Sequence, residues 1–114
     1  MPRAGDTELR EVEITYETVD GVKCEYEYEA RSSGRETGEI KTKSADGQKD
    51  KRTDESALAE VKRLVEGMSL HPGQDREEIL ESACRVLALD QARLRYLAVE
   101  VEFSDGREIE AKLH

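Results

Sequence analysis

Between Val12 and Ala30, and again between Leu97 and Leu113, apolar residues alternate with polar ones that are mostly glutamate, a period of two that restricts both stretches to half-buried β-strands. In the first stretch Val12, Ile14 and Tyr16 are separated by Glu13 and Thr15, then Cys24, Tyr26 and Tyr28 by Glu25 and Glu27. Val19-Asp20-Gly21 lies between the two runs. A two-residue Asp-Gly turn would set Tyr16 beside Glu25 and mix apolar and charged side chains on one face. A three-residue loop with Gly21 in the left-handed region instead sets Tyr16 opposite Cys24 and Val12 opposite Tyr28, so that loop is expected. In the second stretch Leu97, Val99, Val101 and Phe103 alternate with Glu100 and Glu102 before Ser104-Asp105-Gly106 leads into Ile109, Ala111 and Leu113. The same argument predicts the same loop.

A weaker third strand follows the first hairpin. Ser32-Ser33-Gly34 can turn the chain into Thr37 to Ser44, which places Gly38 beside Tyr28 and Ile40 beside Tyr26. With Lys41 and Lys43 pointing outward, this strand reads as a sheet edge. Residues 45–52 are polar, contain glycine and are locally basic, so a mobile crossover loop is expected there. Helix one should begin near Thr53, with Asp54 and Glu55 in its first turn, and present Leu58, Val61, Leu64, Val65 and Met68 on one stripe before Gly67 ends it. After the connection 68–73, helix two opens with Asp75 and Glu78 at capping-box spacing and carries Ile79, Leu80, Ala83, Cys84, Val86 and Leu87 on its apolar face. A short turn around Asp90 returns the chain to the sheet. The expected architecture is therefore α+β: an antiparallel sheet of about five strands, in chain order β-β-β-α-α-β-β, with two helices on one face. Residues 1–9 are expected to be a flexible N-terminus and residues 10–114 a single domain, a size that buries roughly two thirds of the unfolded surface.

Charge narrows the function classes. The chain carries 18 Lys and Arg against 27 Asp and Glu, a net charge of −9, so the phosphate backbone of nucleic acid would be repelled. With four Tyr, one Phe and no Trp there is no aromatic platform for stacking bases. No apolar run is long enough to span a bilayer, and residues 1–6 lack the apolar stretch of a signal peptide. As it stands the chain is expected to be soluble and cytoplasmic; an exported or lipid-anchored form whose leader has been removed is the alternative.

The strings Ile14-Thr15-Tyr16-Glu17, Glu25-Tyr26-Glu27-Tyr28-Glu29, Asp75 to Leu89 and Val99-Glu100-Val101-Glu102-Phe103-Ser104-Asp105-Gly106 together resemble the YusW-like family of small bacterial proteins. The resemblance spans roughly residues 10 to 114. It implies two Glu-rich N-terminal strands, two helices and a final strand-turn-strand, and it brings no activity with it. It also implies an exported or lipoprotein leader in many members, from which this chain departs.

Candidate chemistry is sparse. His71 sits in a Pro-Gly loop with no Cys or second His at metal-ligand spacing, and His114 is the only other histidine, so neither metal nor cofactor is expected. Cys24 and Cys84 allow one disulfide, but both fall at inward positions, where a reduced buried thiol is the commoner state. Neither has the His or C-x-x-C neighbour that would activate a thiolate. Phosphate loops, nucleophile elbows, zinc-protease motifs and calcium loops have no counterpart in the sequence, and an enzyme is not expected. The predicted registers do set Glu11 opposite Glu29, Glu13 opposite Glu27, Glu100 opposite Glu110 and Glu102 opposite Glu108, all on the outer face. Such like-charge pairs are mildly unfavourable. The plainest explanation is that long glutamates keep an open sheet face soluble. The sharper one is a non-enzymatic binding or accessory module that docks a basic protein segment or weakly binds a divalent cation. A nucleic-acid-mimicking inhibitor of a basic protein is the alternative, and a homodimer paired through a sheet edge is a further option beside a monomer.

Overall fold

A computed structural model describes residues 8–113. The expected flexible N-terminus falls outside these residues for positions 1–7, as does His114, while Leu9 already belongs to a strand. Three strands β1 (Leu9–Thr18), β2 (Lys23–Ala30) and β3 (Glu36–Lys43) are followed by a fourth, β4 (Lys49–Arg52). Helices α1 (Glu55–Met68) and α2 (Arg76–Leu87) come next, then a 3-10 turn at Gln91–Arg93 and strands β5 (Leu94–Phe103) and β6 (Glu108–Leu113). The strands form one antiparallel sheet in the order β4-β3-β2-β1-β5-β6. The fold is α+β, with six strands among the described residues where the sequence suggests about five.

Both hairpin registers are those the alternation demands: Tyr16 faces Cys24 and Val12 faces Tyr28, while Glu100 faces Glu110. In the first hairpin the Thr18 amide donates to the Val22 carbonyl at 2.9 Å and the Gly21 amide to the Thr18 carbonyl at 3.0 Å. Gly21 has φ 91°, a conformation that side chains with a Cβ resist, so the third loop position selects glycine. The same pair of hydrogen bonds closes the loops at 32–34, 45–47 and 104–106.

The loop at 45–47 corrects the sequence reading. Residues 45–52 are a tight turn followed by β4, and β3 is consequently an interior strand with Lys43 facing Lys49 and Lys41 facing Lys51. The Ala45-Asp46-Gly47 turn repeats the pattern of Val19-Asp20-Gly21, but Lys49-Asp50-Lys51-Arg52 has no apolar alternation to advertise a strand. Backbone pairing with β3 suffices for so short an edge.

The caps of both helices are aspartates. Asp54 Oδ1 accepts the Ala57 amide at 2.9 Å and Asp75 Oδ1 accepts the Glu78 amide at 2.8 Å, each satisfying a free N–H of the first turn. Gly67 does not end α1. It lies inside the last turn, where a Cβ would come within 3.0 Å of Val86 Cγ1, so its bareness serves close packing against α2. Its carbonyl accepts Arg85 Nη2 at 3.0 Å, which ties the C-terminal end of α1 to α2. The helices end instead at Ser69 (φ 51°) and Ala88 (φ 54°), both left-handed without being glycine. Ala88→Gly should therefore stabilise the domain by about 1 kcal/mol, read as a rise in urea midpoint at unchanged slope.

Helix α1 lies over β3 and β2, and α2 over β6 and β5. Val12 and Ile14 of β1 and Leu97, Val99, Val101 and Phe103 of β5 form the floor of the core beneath Val61, Val65 and Met68 of α1 and Ile79 and Ala83 of α2. Ser82, also buried, is satisfied by donating to the Ile79 carbonyl at 2.8 Å. Cys24 and Cys84 are free and buried, and burial pushes the Cys84 thiol upward. Both helices pack on the apolar side of the sheet. The other side faces water, an arrangement open to antiparallel but rarely to parallel sheets.

Candidate functional site: a glutamate ladder on the open sheet face

Because side chains alternate across each strand, the odd-numbered residues of β1 from Glu11 onward and of β2 and β3, and the even-numbered ones of β6, point away from the helices, while an irregularity between Leu9 and Glu11 turns Leu9 toward the core. The sequence places the glutamates of each hairpin in pairs. The sheet then joins the two hairpins through β1 and β5, with Glu11 facing Glu102 and Glu13 facing Glu100. One row across the open face thus reads Glu39, Glu27, Glu13, Glu100, Glu110 on five successive strands. The next reads Glu29, Glu11, Glu102, Glu108 on four. All eight predicted residues are brought together, and Glu39 extends the longer row.

Strand spacing of about 4.8 Å holds each carboxylate inside a row near two like neighbours and each one at a row's end near one. The central pair shows the consequence. Burial, followed by the charges of Glu27, Glu29, Glu102 and Glu100, holds the Glu11 carboxyl above its ordinary value; burial, followed by Glu100, Glu27, Glu25 and Glu11, does the same for Glu13. Compensation comes from the margins: Arg31 Nε lies 3.2 Å from Glu29, Lys112 Nζ 3.1 Å from Glu110, and Lys41 and Lys51 Nζ 3.5 and 3.4 Å from the same oxygen of Glu39. Arg31 and Lys51 have no such role in the sequence reading, Lys51 because its strand is not foreseen. Glu11, Glu100, Glu102, Glu108 and Glu110 line a shallow open groove of about 280 Å³ over β5 and β6.

The cation-binding option finds no geometric support here. Among the described residues no three His, Cys, Asp or Glu side chains converge to hold a metal ion. A flat sheet spreads its carboxylates in rows, whereas a divalent cation needs its oxygens gathered within about 2.6 Å of one point. Elsewhere, Glu36 accepts the Tyr28 hydroxyl at 2.6 Å and Lys62 Nζ at 3.0 Å, bonds that hold its carboxyl below the ordinary range and pin β3 to β2 and α1. His71 is an exposed loop residue. No helix among the described residues is long and apolar enough to cross a membrane.

Comparison with known proteins finds no match among curated proteins or solved structures. A family model described as YusW-like protein matches residues 9–105, which takes in both rows of the ladder except the glutamates of β6. That match covers most of the domain, from the first strand to the loop of the last hairpin, and the chain belongs to the YusW-like protein family.

Proposed function

We propose that this protein is a non-enzymatic binding or accessory module whose open sheet face captures a basic segment of another protein. The observation that carries this reading is the uninterrupted row of five glutamates across five strands, which the sheet holds together at a cost to its own stability. Lys or Arg side chains laid across the row would remove that repulsion, and the field of the face would speed their encounter. Solubility alone asks for interspersed charges of both signs rather than rows of one sign.

The test is charge reversal of Glu13, Glu27, Glu100 and Glu110 to Lys, with circular dichroism to verify that the fold persists and titration calorimetry against a Lys/Arg-rich peptide. Capture should be lost, and wild-type binding should weaken steeply between 50 and 200 mM salt, roughly tenfold or more. Undiminished capture by the reversed variant would remove the ladder from any role in binding. A mimic of nucleic acid makes a different demand: wild-type protein should then displace DNA from a basic DNA-binding protein.

A further inference from the structure

The open face changes sign at one corner. Two residues along β3 from Glu39, the outward positions become Lys41, facing Lys51, and then Lys43, flanked by Lys23 and Lys49. These five lysines, drawn from three strands of a chain with net charge −9, line a shallow depression of about 480 Å³ together with Glu25 and Asp50. Internal neutralisation is partial. Lys41 and Lys51 share a single oxygen of Glu39, Lys23 lies 3.9 Å from Glu25, and Lys43 and Lys49 have no carboxylate within ion-pair distance among the described residues. The two signs are sorted into blocks on the same surface, although alternating them would have relieved like-charge pairs in both.

We propose that this lysine corner is the second half of the docking face and takes a short run of Asp or Glu that adjoins the basic segment in the same partner. The inference rests on the reading of the ladder given above. It sets the direction in which the partner lies, acidic end toward β4 and basic end across β1, β5 and β6. Charge complementarity selects an acidic run, and geometry limits its length. Two residues of strand are only about 7 Å, within the Debye length of about 8 Å at physiological salt. An extended polyanion such as a membrane surface or a duplex would therefore meet the glutamate rows as soon as it covered the lysines.

Three peptides test this by calorimetry and amide chemical shifts: a basic peptide, the same peptide extended by four acidic residues, and the same extended by four Gly and Ser residues. The acidic extension should tighten binding about tenfold over the neutral one. It should also move the amides of Lys43 and Lys49. Lys43→Glu with Lys49→Glu, at two exposed positions, should erase that gain and leave affinity for the basic peptide unreduced. Equal affinities for the two extended peptides, with the basic peptide still bound, would overturn the corner and spare the ladder. Binding of the acidic extension at Lys43 and Lys49 without any binding of the basic peptide would overturn the ladder and, with it, the two-part partner proposed here. Stronger binding of inorganic polyphosphate or of anionic lipid vesicles at the corner than of the acidic run would overturn the assignment of its partner, and silence from every ligand would overturn both readings.

Discussion

Replacing Gly38 by valine should lower the stability of the domain by about 3 kcal/mol, one of the largest effects any single exchange on the sheet can produce. Gly38 lies on the inner face of β3 opposite Tyr28, directly beneath the start of α1. A Cβ there would stand 2.6 Å from Leu58 Cα, 3.1 Å from Leu58 N and 3.3 Å from the Ala57 carbonyl oxygen. All three atoms are backbone, so no rotamer change can make room. The helix must lift, and lifting it uncovers Ala57 and Val61, both buried, together with Ile40 below. Alanine should cost less, about 2 kcal/mol, because it adds the clashing Cβ without the two further methyl groups of valine. Thr37→Val, at an exposed position on the same strand, is the control and should change stability by no more than about 0.5 kcal/mol. Urea melts of the three variants decide the matter. A valine variant as stable as the parent would mean that α1 does not dock on β3.

The second large effect runs in the opposite direction. Exchanging Glu13, Glu27, Glu100 and Glu110 for Gln removes every like-charge contact in the longer row while keeping side-chain length, and should stabilise the domain by about 2 kcal/mol at neutral pH and low salt. In a domain of this size that is a rise of roughly 8 °C in melting temperature. A wild-type pH dependence should accompany it. The Glu11 and Glu13 carboxyls are held above the ordinary value of 4.5, so the folded state binds more protons than the unfolded one between that value and neutrality. Their contribution to stability is fully present below 4.5 and is lost as pH rises through their folded values. Glu36 has the other sign, since hydrogen bonds from Tyr28 and Lys62 lower its carboxyl; its contribution is present above 4.5 and lost as pH falls through its lowered value. The turn and cap aspartates Asp46, Asp54 and Asp105, lowered chiefly by bonds from Ser44, Ser56 and Arg107, act in the same sense as Glu36. Stability should therefore climb on acidification from pH 7 to about 5 and fall below about 4. The Gln variant should lose the share of the climb that comes from Glu13, retain a reduced share from Glu11, whose burial and whose neighbours Glu29 and Glu102 remain, and keep the fall. A parent protein that weakens steadily from pH 7 downward would show that the ladder carries no net repulsion.

The binding role proposed above would account for why the repulsion persists. Glu11 and Glu13, which lie between like charges and have no ion pair to offset them among the described residues, are the positions where a neutral residue should raise stability, and proteins often hold a destabilising constellation where a site requires it. The Lys/Arg titration and the Gln variant examine the two sides of that trade.

Much of this molecule is legible in short stretches of sequence. An alternating run with Asp-Gly three residues from its pivot has one register that keeps Tyr16, Cys24, Val12 and Tyr28 on the same face, and loop closure over three residues costs little, so each hairpin is specified by its own residues. The helices are specified likewise, α2 through its aspartate cap and both through apolar stripes, although α1 starts one residue past Asp54, which is its cap rather than part of its first turn; so are the four glutamate pairs internal to the hairpins. Tertiary structure alone decided three further matters. It set β1 beside β5, which turned four separate pairs into continuous rows; some 80 residues separate the partners, and nothing local to either strand names the other. It placed α1 and α2 side by side on one face, so that Gly67 became a packing contact with Val86 rather than a stop signal. It also recruited Lys49 to Arg52 as an edge strand through backbone hydrogen bonds to β3, and thereby assembled the lysine corner. The division has one physical reason. Register and face follow from side-chain alternation that each segment carries with it, whereas strand order depends on which long-range pairing buries the common apolar floor beneath both helices, a property of the whole chain.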